Sequence, residues 1–201
     1  MKLNFKLGGF DPFNPEYFKL IIQISLSICY NGFIPLWSDT LMILLMTAGL
    51  AMASPYDMAA AMAIDSNDIA SASFTGDNVA WTIANNFGVI NPTENTTMTH
   101  LYTGSIGVEP QPGTDLGSWG EPNDRITLSL TLNAPASAQS ARFDFYFLSA
   151  EYPEYVGTSY NDKFEANISS SAWSGNAAID SLGNMVSVNT LFFSVVDSAS
   201  L

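Results

Sequence analysis

Residues 143–164 read FDFYFLSAEYPEYVGTSYNDKF. The stretch begins as a strand: Phe143, Phe145 and Phe147 alternate with Asp144, Tyr146 and Leu148, and a period of two puts the three phenyl rings on one face. It then breaks into a loop dense in acids and aromatics, with Glu151, Tyr152, Pro153, Glu154, Tyr155, Gly157, Tyr160, Asn161 and Asp162. A solvated connection does not need three tyrosines, and a core segment does not tolerate three carboxylates unless something pairs them. Beyond the loop the alternation returns in 163–169, KFEANIS, where Phe164, Ala166 and Ile168 are interleaved with Glu165 and Asn167.

The same period recurs outward from this centre. In 125–132, RITLSLTL, Ile126, Leu128, Leu130 and Leu132 alternate with Thr127, Ser129 and Thr131, the pattern of a half-buried strand. Residues 133–140, NAPASAQS, form a turn between it and the phenylalanine strand. Upstream, 69–75, IASASFT, reads as a strand closed by Gly76-Asp77, and 80–83 with 87–90 suggest a hairpin around Asn85-Asn86. Residues 91–97 are a polar loop, 101–108 a weak strand, and 109–124, EPQPGTDLGSWGEPND, a long loop without periodicity. Downstream, 177–179 and 185–188 flank a turn-like SLGN, and 191–196, LFFSVV, is apolar and β-rich. Only 56–64, YDMAAAMAI, has helix propensity. Many short strands with close-set turns predict an all-β chain, an antiparallel sandwich or jelly roll with one short N-terminal helix.

Residues 41–53, LMILLMTAGLAMA, are a compact apolar run ending in Ala51-Met52-Ala53, the small-x-small pattern of a signal-peptidase site. The run is too short for an ordinary membrane span. A second apolar patch, 20–30, carries Gln23, Ser25 and Ser27. These features set 1–53 apart as a signal-peptide-like leader without a part in the fold, with 54–201 as the domain. An extended n-region, a start further down the chain and a membrane-anchored N-terminus remain alternatives. The C-terminal DSASL follows an apolar segment directly, which leads us to expect a chain truncated at that end.

The formal net charge is −13. Lys2, Lys6 and Lys19 balance Asp11, Glu16 and Asp39, so the whole excess lies in 54–201. Such a surface repels nucleic acid and anionic lipid and favours cations, so a nucleic-acid partner is excluded. Cys29 is the sole cysteine, and 54–201 therefore has no disulfide, thiolate nucleophile or Cys-based zinc site.

The run 145–164 resembles the signature of the choice-of-anchor L domain of bacterial secreted and surface proteins. That family shows an aromatic strand, then Ser-x-Glu-Tyr-x-Glu-[Phe/Tyr]-Val, a turn of small residues and Asn-Asp-x-Phe. The match falls on Phe147, Ser149, Glu151, Tyr152, Glu154, Tyr155, Val156, Ser159, Asn161, Asp162 and Phe164. Ala150 departs from it, since many members carry a second acid before the tyrosine. Weaker echoes lie in IASASFTG, GSIGV and AAIDSLGNMVSVNTLFF. The resemblance spans about 56 to the C-terminus and implies an exported, surface-attached β domain, secreted or on the cell surface, without catalytic activity. Its partner would be a surface glycan or an extracellular protein, and membrane contact would come only through the leader or a missing C-terminal anchor.

The residues themselves offer two chemistries. Glu151, Glu154, Asn161 and Asp162 present oxygen ligands at both ends of one loop, suited to calcium, which takes six to eight oxygens in irregular geometry. The competing reading is a loop whose acids accept backbone N–H groups, with Asn161-Asp162 in an Asx-type turn. Tyr152, Tyr155, Tyr160 and Trp119 are candidates to stack on sugar rings, which would make the chain a carbohydrate-binding accessory domain of a secreted enzyme. The competing reading packs the same rings onto the sheet. Catalysis has little support. Glu151 and Glu154 supply two acids for glycoside hydrolysis, but nothing fixes their separation. His100 is the one histidine, and no G-x-S-x-G accompanies it.

Overall fold

The computed structural model describes residues 2–6, 18–27, 53–103, 125–135, 138, 140–159, 161–171, 173–180 and 182–190. The apolar run 41–52, the long loop 109–124 with Trp119, Tyr160 and the segment 191–196 lie outside the described residues. The chain is strand-rich with open antiparallel sheets. Its elements are β1 (Lys2–Lys6), β2 (Phe18–Ser27), α1 (Pro55–Ala61), a 3-10 turn (Ser66–Asp68), β3 (Ile69–Thr75), β4 (Trp81–Ala84), β5 (Met98–Leu101), β6 (Ile126–Ala134), β7 (Ser140–Asp144), β8 (Lys163–Ser169), β9 (Ser174–Asn176) and β10 (Val186–Ser187).

The main sheet runs β10-β8-β2-β6-β3, with β9 on the same edge of β8 as β10. Two separate ladders pair β1 with β7 and β4 with β5. The expectation that residues 1–53 stand outside the fold meets a different arrangement here. β2 pairs antiparallel with β6 on one side and β8 on the other, and β1 pairs along β7. The physical reason is periodicity. Leu20, Ile22, Ile24 and Leu26 alternate with Ile21, Gln23, Ser25 and Ser27, the pattern that a two-edged strand over one core requires.

Alternation sets burial strand by strand. Ile126, Leu128 and Leu130 of β6 and Phe164, Ala166 and Ile168 of β8 are buried, while the residues between them are half-buried. In β3 the inward set changes phase. Ile69 is buried, Ser71 and Ser73 are exposed, and Ala72 and Phe74 are the half-buried ones. The register against β6 slips between Ile69 and Ser71, a bulge whose extra residue re-aims the strand.

Two groups of apolar side chains make the core. One joins Phe145, Phe164, Ala166, Ile168, Ala177, Ala178 and Val186; the other joins Met58, Ala59, Ile69, Leu128 and Leu130. Met62, Leu101 and Leu132 pack against both. α1 brings Met58 and Ala59 to β3, β4 and β5. It starts at Ser54 with a capping box: the Ser54 backbone N–H and hydroxyl donate to Asp57 Oδ2 at 2.6 and 2.7 Å, and Asp57 N–H donates back to Ser54 Oγ. These bonds hold the Asp57 carboxyl below its ordinary range, the Ser54 side-chain bond contributing most.

The hairpin expected from 80–83 and 87–90 forms elsewhere. β4 pairs with Met98–Leu101, and Phe87 and Ile90 close on each other, each amide donating to the other's carbonyl at 2.9 Å. Gly88, at φ 55°, takes the left-handed position inside that turn. The loop 91–97 thus lies within the hairpin rather than after it.

Candidate functional site

The phenylalanine strand ends sooner than its alternation, at Asp144, but the alternation continues to govern burial. Phe145 is buried and Phe143 and Phe147 are half-buried, whereas Tyr146 and Leu148 are exposed. Phe145 stacks on Phe164 of β8 at 4.3 Å between ring centroids, and Phe143 and Phe147 lie tilted against this pair at 6.1 and 6.3 Å. The two ends of the bend are thereby fastened through aromatic rings before any polar contact is counted.

Inside this frame two carboxylates are almost wholly buried, Glu151 at 1% and Asp162 at 3% exposure. Asp162 N–H donates to Glu151 Oε2 at 3.2 Å, so the acid at the start of the loop caps the backbone at its end. Ser149 Oγ–H donates to Asp162 Oδ2, and Glu151 N–H donates to Ser149 Oγ at 3.1 Å. Ser149, Glu151 and Asp162 form one connected polar unit. Buried charge is tolerated only when it is hydrogen-bonded in this manner.

Asn189 is the residue that sequence reasoning misses. Its side-chain oxygen accepts from Gly157 N–H at 2.6 Å and its amide group donates to the Thr158 carbonyl at 2.9 Å. Its backbone N–H donates to Asn161 Oδ1 at 2.8 Å, and the neighbouring Val188 N–H donates to the Asp162 carbonyl at 3.0 Å. The segment after β10 therefore clamps the far side of the loop. An asparagine in VSVNT carries no local signal for this, because its partners lie about thirty residues upstream.

Of the four expected oxygen ligands, the structure brings Glu151 and Asp162 together. Glu154 stands exposed at the tip, and Asn161 Oδ1 already accepts from Asn189. No cluster of three acidic, histidine or cysteine side chains suited to a metal occurs among the described residues. Glu151 caps the Asp162 backbone N–H through Oε2, the backbone role open to an acid of this loop. Of the expected ring platform, Tyr152 and Tyr155 are half-buried on the loop; Tyr160 and Trp119 lie outside the described residues. The tip between them, Pro153, Glu154 and Val156 to Ser159, is exposed.

His100 sits on β5, its Nδ1 2.9 Å from the Tyr102 hydroxyl and its ring edge-on to Phe87 at 5.5 Å. Burial lowers its pKa and raises that of Tyr102. His100 belongs to the β4–β5 ladder, and Tyr102 follows it directly, its N–H donating to the Ala80 carbonyl at 2.8 Å. No family model matches the chain, and no curated protein or solved structure matches it either.

Proposed function

We propose that this chain is an exported, surface-displayed β module of the choice-of-anchor L kind, structural or adhesive in role and without catalytic activity. The observation that carries the reading is the use of Glu151 and Asp162. Both acids are buried within their own loop and bonded to backbone and hydroxyl, while at the tip that they brace Glu154 is exposed and Tyr152 and Tyr155 are half-buried. Carboxylates so engaged hold a shape; they do not stand ready to transfer protons to a substrate. The leader-like run 41–53 supports export, and the pairing of β2 between β6 and β8 requires that the N-terminal segment accompany the module. The finer architecture proposed is a two-layer sandwich. Ala141 and Phe143 of the β7 ladder and Leu101 of the β5 ladder pack against the β8 face of the main sheet, as a second layer would.

Calcium enters this proposal as a stabiliser at the Glu151–Asp162 pair, completed by carbonyls and water rather than by Glu154 and Asn161. The test is thermal unfolding of the full chain in calcium and in chelator. A ligand that binds the native state raises the midpoint, by about 2.7 kcal/mol of stability at a hundredfold excess over Kd. An unchanged midpoint removes calcium from the proposal and leaves the module. Display is tested by external biotin labelling of producing cells: label on 54–201 is expected, and its confinement to the lysed fraction overturns export. Glycan binding that is lost in Tyr155→Ala would transfer the chain to the carbohydrate-binding class.

A further inference from the structure

We propose that the slot between β6 and β8 is a strand-acceptor site whose ligand is an extended amphipathic decapeptide, Phe18–Ser27 of this chain, and that this ligand can be supplied in trans. β6 and β8 do not pair with each other; β2 lies between them and pairs along 18–26 with one and 21–27 with the other. Strands in a sheet are about 4.8 Å apart, so removing β2 leaves two ladder edges facing each other across about 10 Å, a gap the width of one strand.

The register matches side-chain type on both edges. Ile22 stands opposite Leu130 and Ile168, Ile24 opposite Leu128 and Ala166, and Leu26 opposite Ile126 and Phe164. Those six partners are all buried. The intervening positions carry Gln23 opposite Ser129 and Asn167 and Ser25 opposite Thr127 and Glu165, with Ile21, opposite Thr131 and Ser169, the one apolar exception. A slip by one residue would place Ile22, Ile24 and Leu26 against a polar row, so the slot selects both a phase and a pattern. Affinity comes from main-chain bonds on two edges, as in other strand additions.

The covalent tie is dispensable in this arrangement. β2 is joined to α1 through 28–54, which contains the Ala51-Met52-Ala53 triplet. A cut there leaves every main-chain bond of β2 in place and makes the segment an exchangeable ligand, from the same chain or a second copy.

The test uses the full chain with a site-specific protease sequence inserted after Thr40. After cutting, the N-terminal fragment should co-elute with 41–201. A fluorescent 18–27 peptide in excess should then replace it at one per chain, while a peptide with Gln23 and Ile24 exchanged should not. Loss of the fragment on cutting with an unchanged unfolding midpoint overturns the proposal, as does equal binding of both peptides. If the cut chain precipitates, hydrogen exchange on the uncut chain decides: amides of 18–27 should be protected like those of Ile126–Ala134, and exchange within seconds overturns the proposal.

Discussion

Glu151 has a different task from the other acids of its loop. Its Oε2 accepts the amide proton of Asp162, a backbone group that is itself buried. Glu151→Ala removes the acceptor and leaves that donor, together with part of the Ser149–Asp162 unit, in a low-dielectric site. A cost of about 1–3 kcal/mol is expected, read as a lower urea midpoint. Glu154→Ala, at an exposed position, should leave the midpoint within about 0.5 kcal/mol of the parent. The two acids were indistinguishable as letters, because both fit a ligand pattern; only burial separates them. His100 gives a pH signature. Burial lowers its folded pKa below 6.5, so the folded state resists a proton that the unfolded chain accepts. Its contribution is complete above about pH 6.5 and declines as pH falls through that value toward the lowered folded pKa. The unfolding midpoint of the parent should therefore drop more between pH 7.5 and pH 5 than that of His100→Gln.

At the level of the element, the strands with uninterrupted alternation were the readable ones. β3 and β8 have the bounds that their sequence pattern predicts, and β6 starts one residue after the expected 125 and ends two after the expected 132. The readings failed where a bond partner is remote. Nothing in 80–90 announces that β4 waits for Met98–Leu101, and nothing in 18–27 names β6 and β8. The alternation of 20–27 is plain, yet the cleavage triplet behind it makes the segment read as leader. Leu130→Ala tests the centre of the sheet: Leu130 is 1% exposed and packs with Met58, Ala59, Ile69 and Leu128. A loss of about 2–5 kcal/mol in equilibrium unfolding is expected. Gly76 probes the turn after β3. It adopts φ 141°, and a Cβ there would lie 2.8 Å from Ile126 Cγ2 and 3.0 Å from Phe74 Cζ. Gly76→Ala is expected to cost about 1–3 kcal/mol by the same measurement.

Over the whole molecule, charge is distributed against folding. The excess of −13 falls in 54–201, where Arg125 pairs with Glu165 at 3.3 Å and Arg142 with Glu94. The Arg142–Glu94 pair is exposed on both sides and contributes little, and the Arg125–Glu165 pair is exposed on its arginine side. Self-repulsion among the remaining acids is screened by salt, with a Debye length of about 30 Å at 0.01 M and about 8 Å at 0.15 M. The thermal midpoint should accordingly rise when sodium chloride is raised from 10 to 150 mM, and a falling midpoint would count against a repulsive surface. Composition was sufficient to read the charge excess, and alternation with close-set turns to read a strand-rich chain. The order of strands was not readable, since it is set by long-range pairing.

The opening of α1 bears on processing. Ser54 follows the Ala-x-Ala triplet directly, and its amide nitrogen lies 2.6 Å from an Asp57 carboxylate oxygen. Hydrolysis of the Ala53–Ser54 bond would turn that amide into an ammonium group without moving it. The new terminus would be born beside its counterion, trading a neutral donor for a charged one, and would remain folded against the helix instead of fraying. Such an end presents exopeptidases with a first residue that is already engaged.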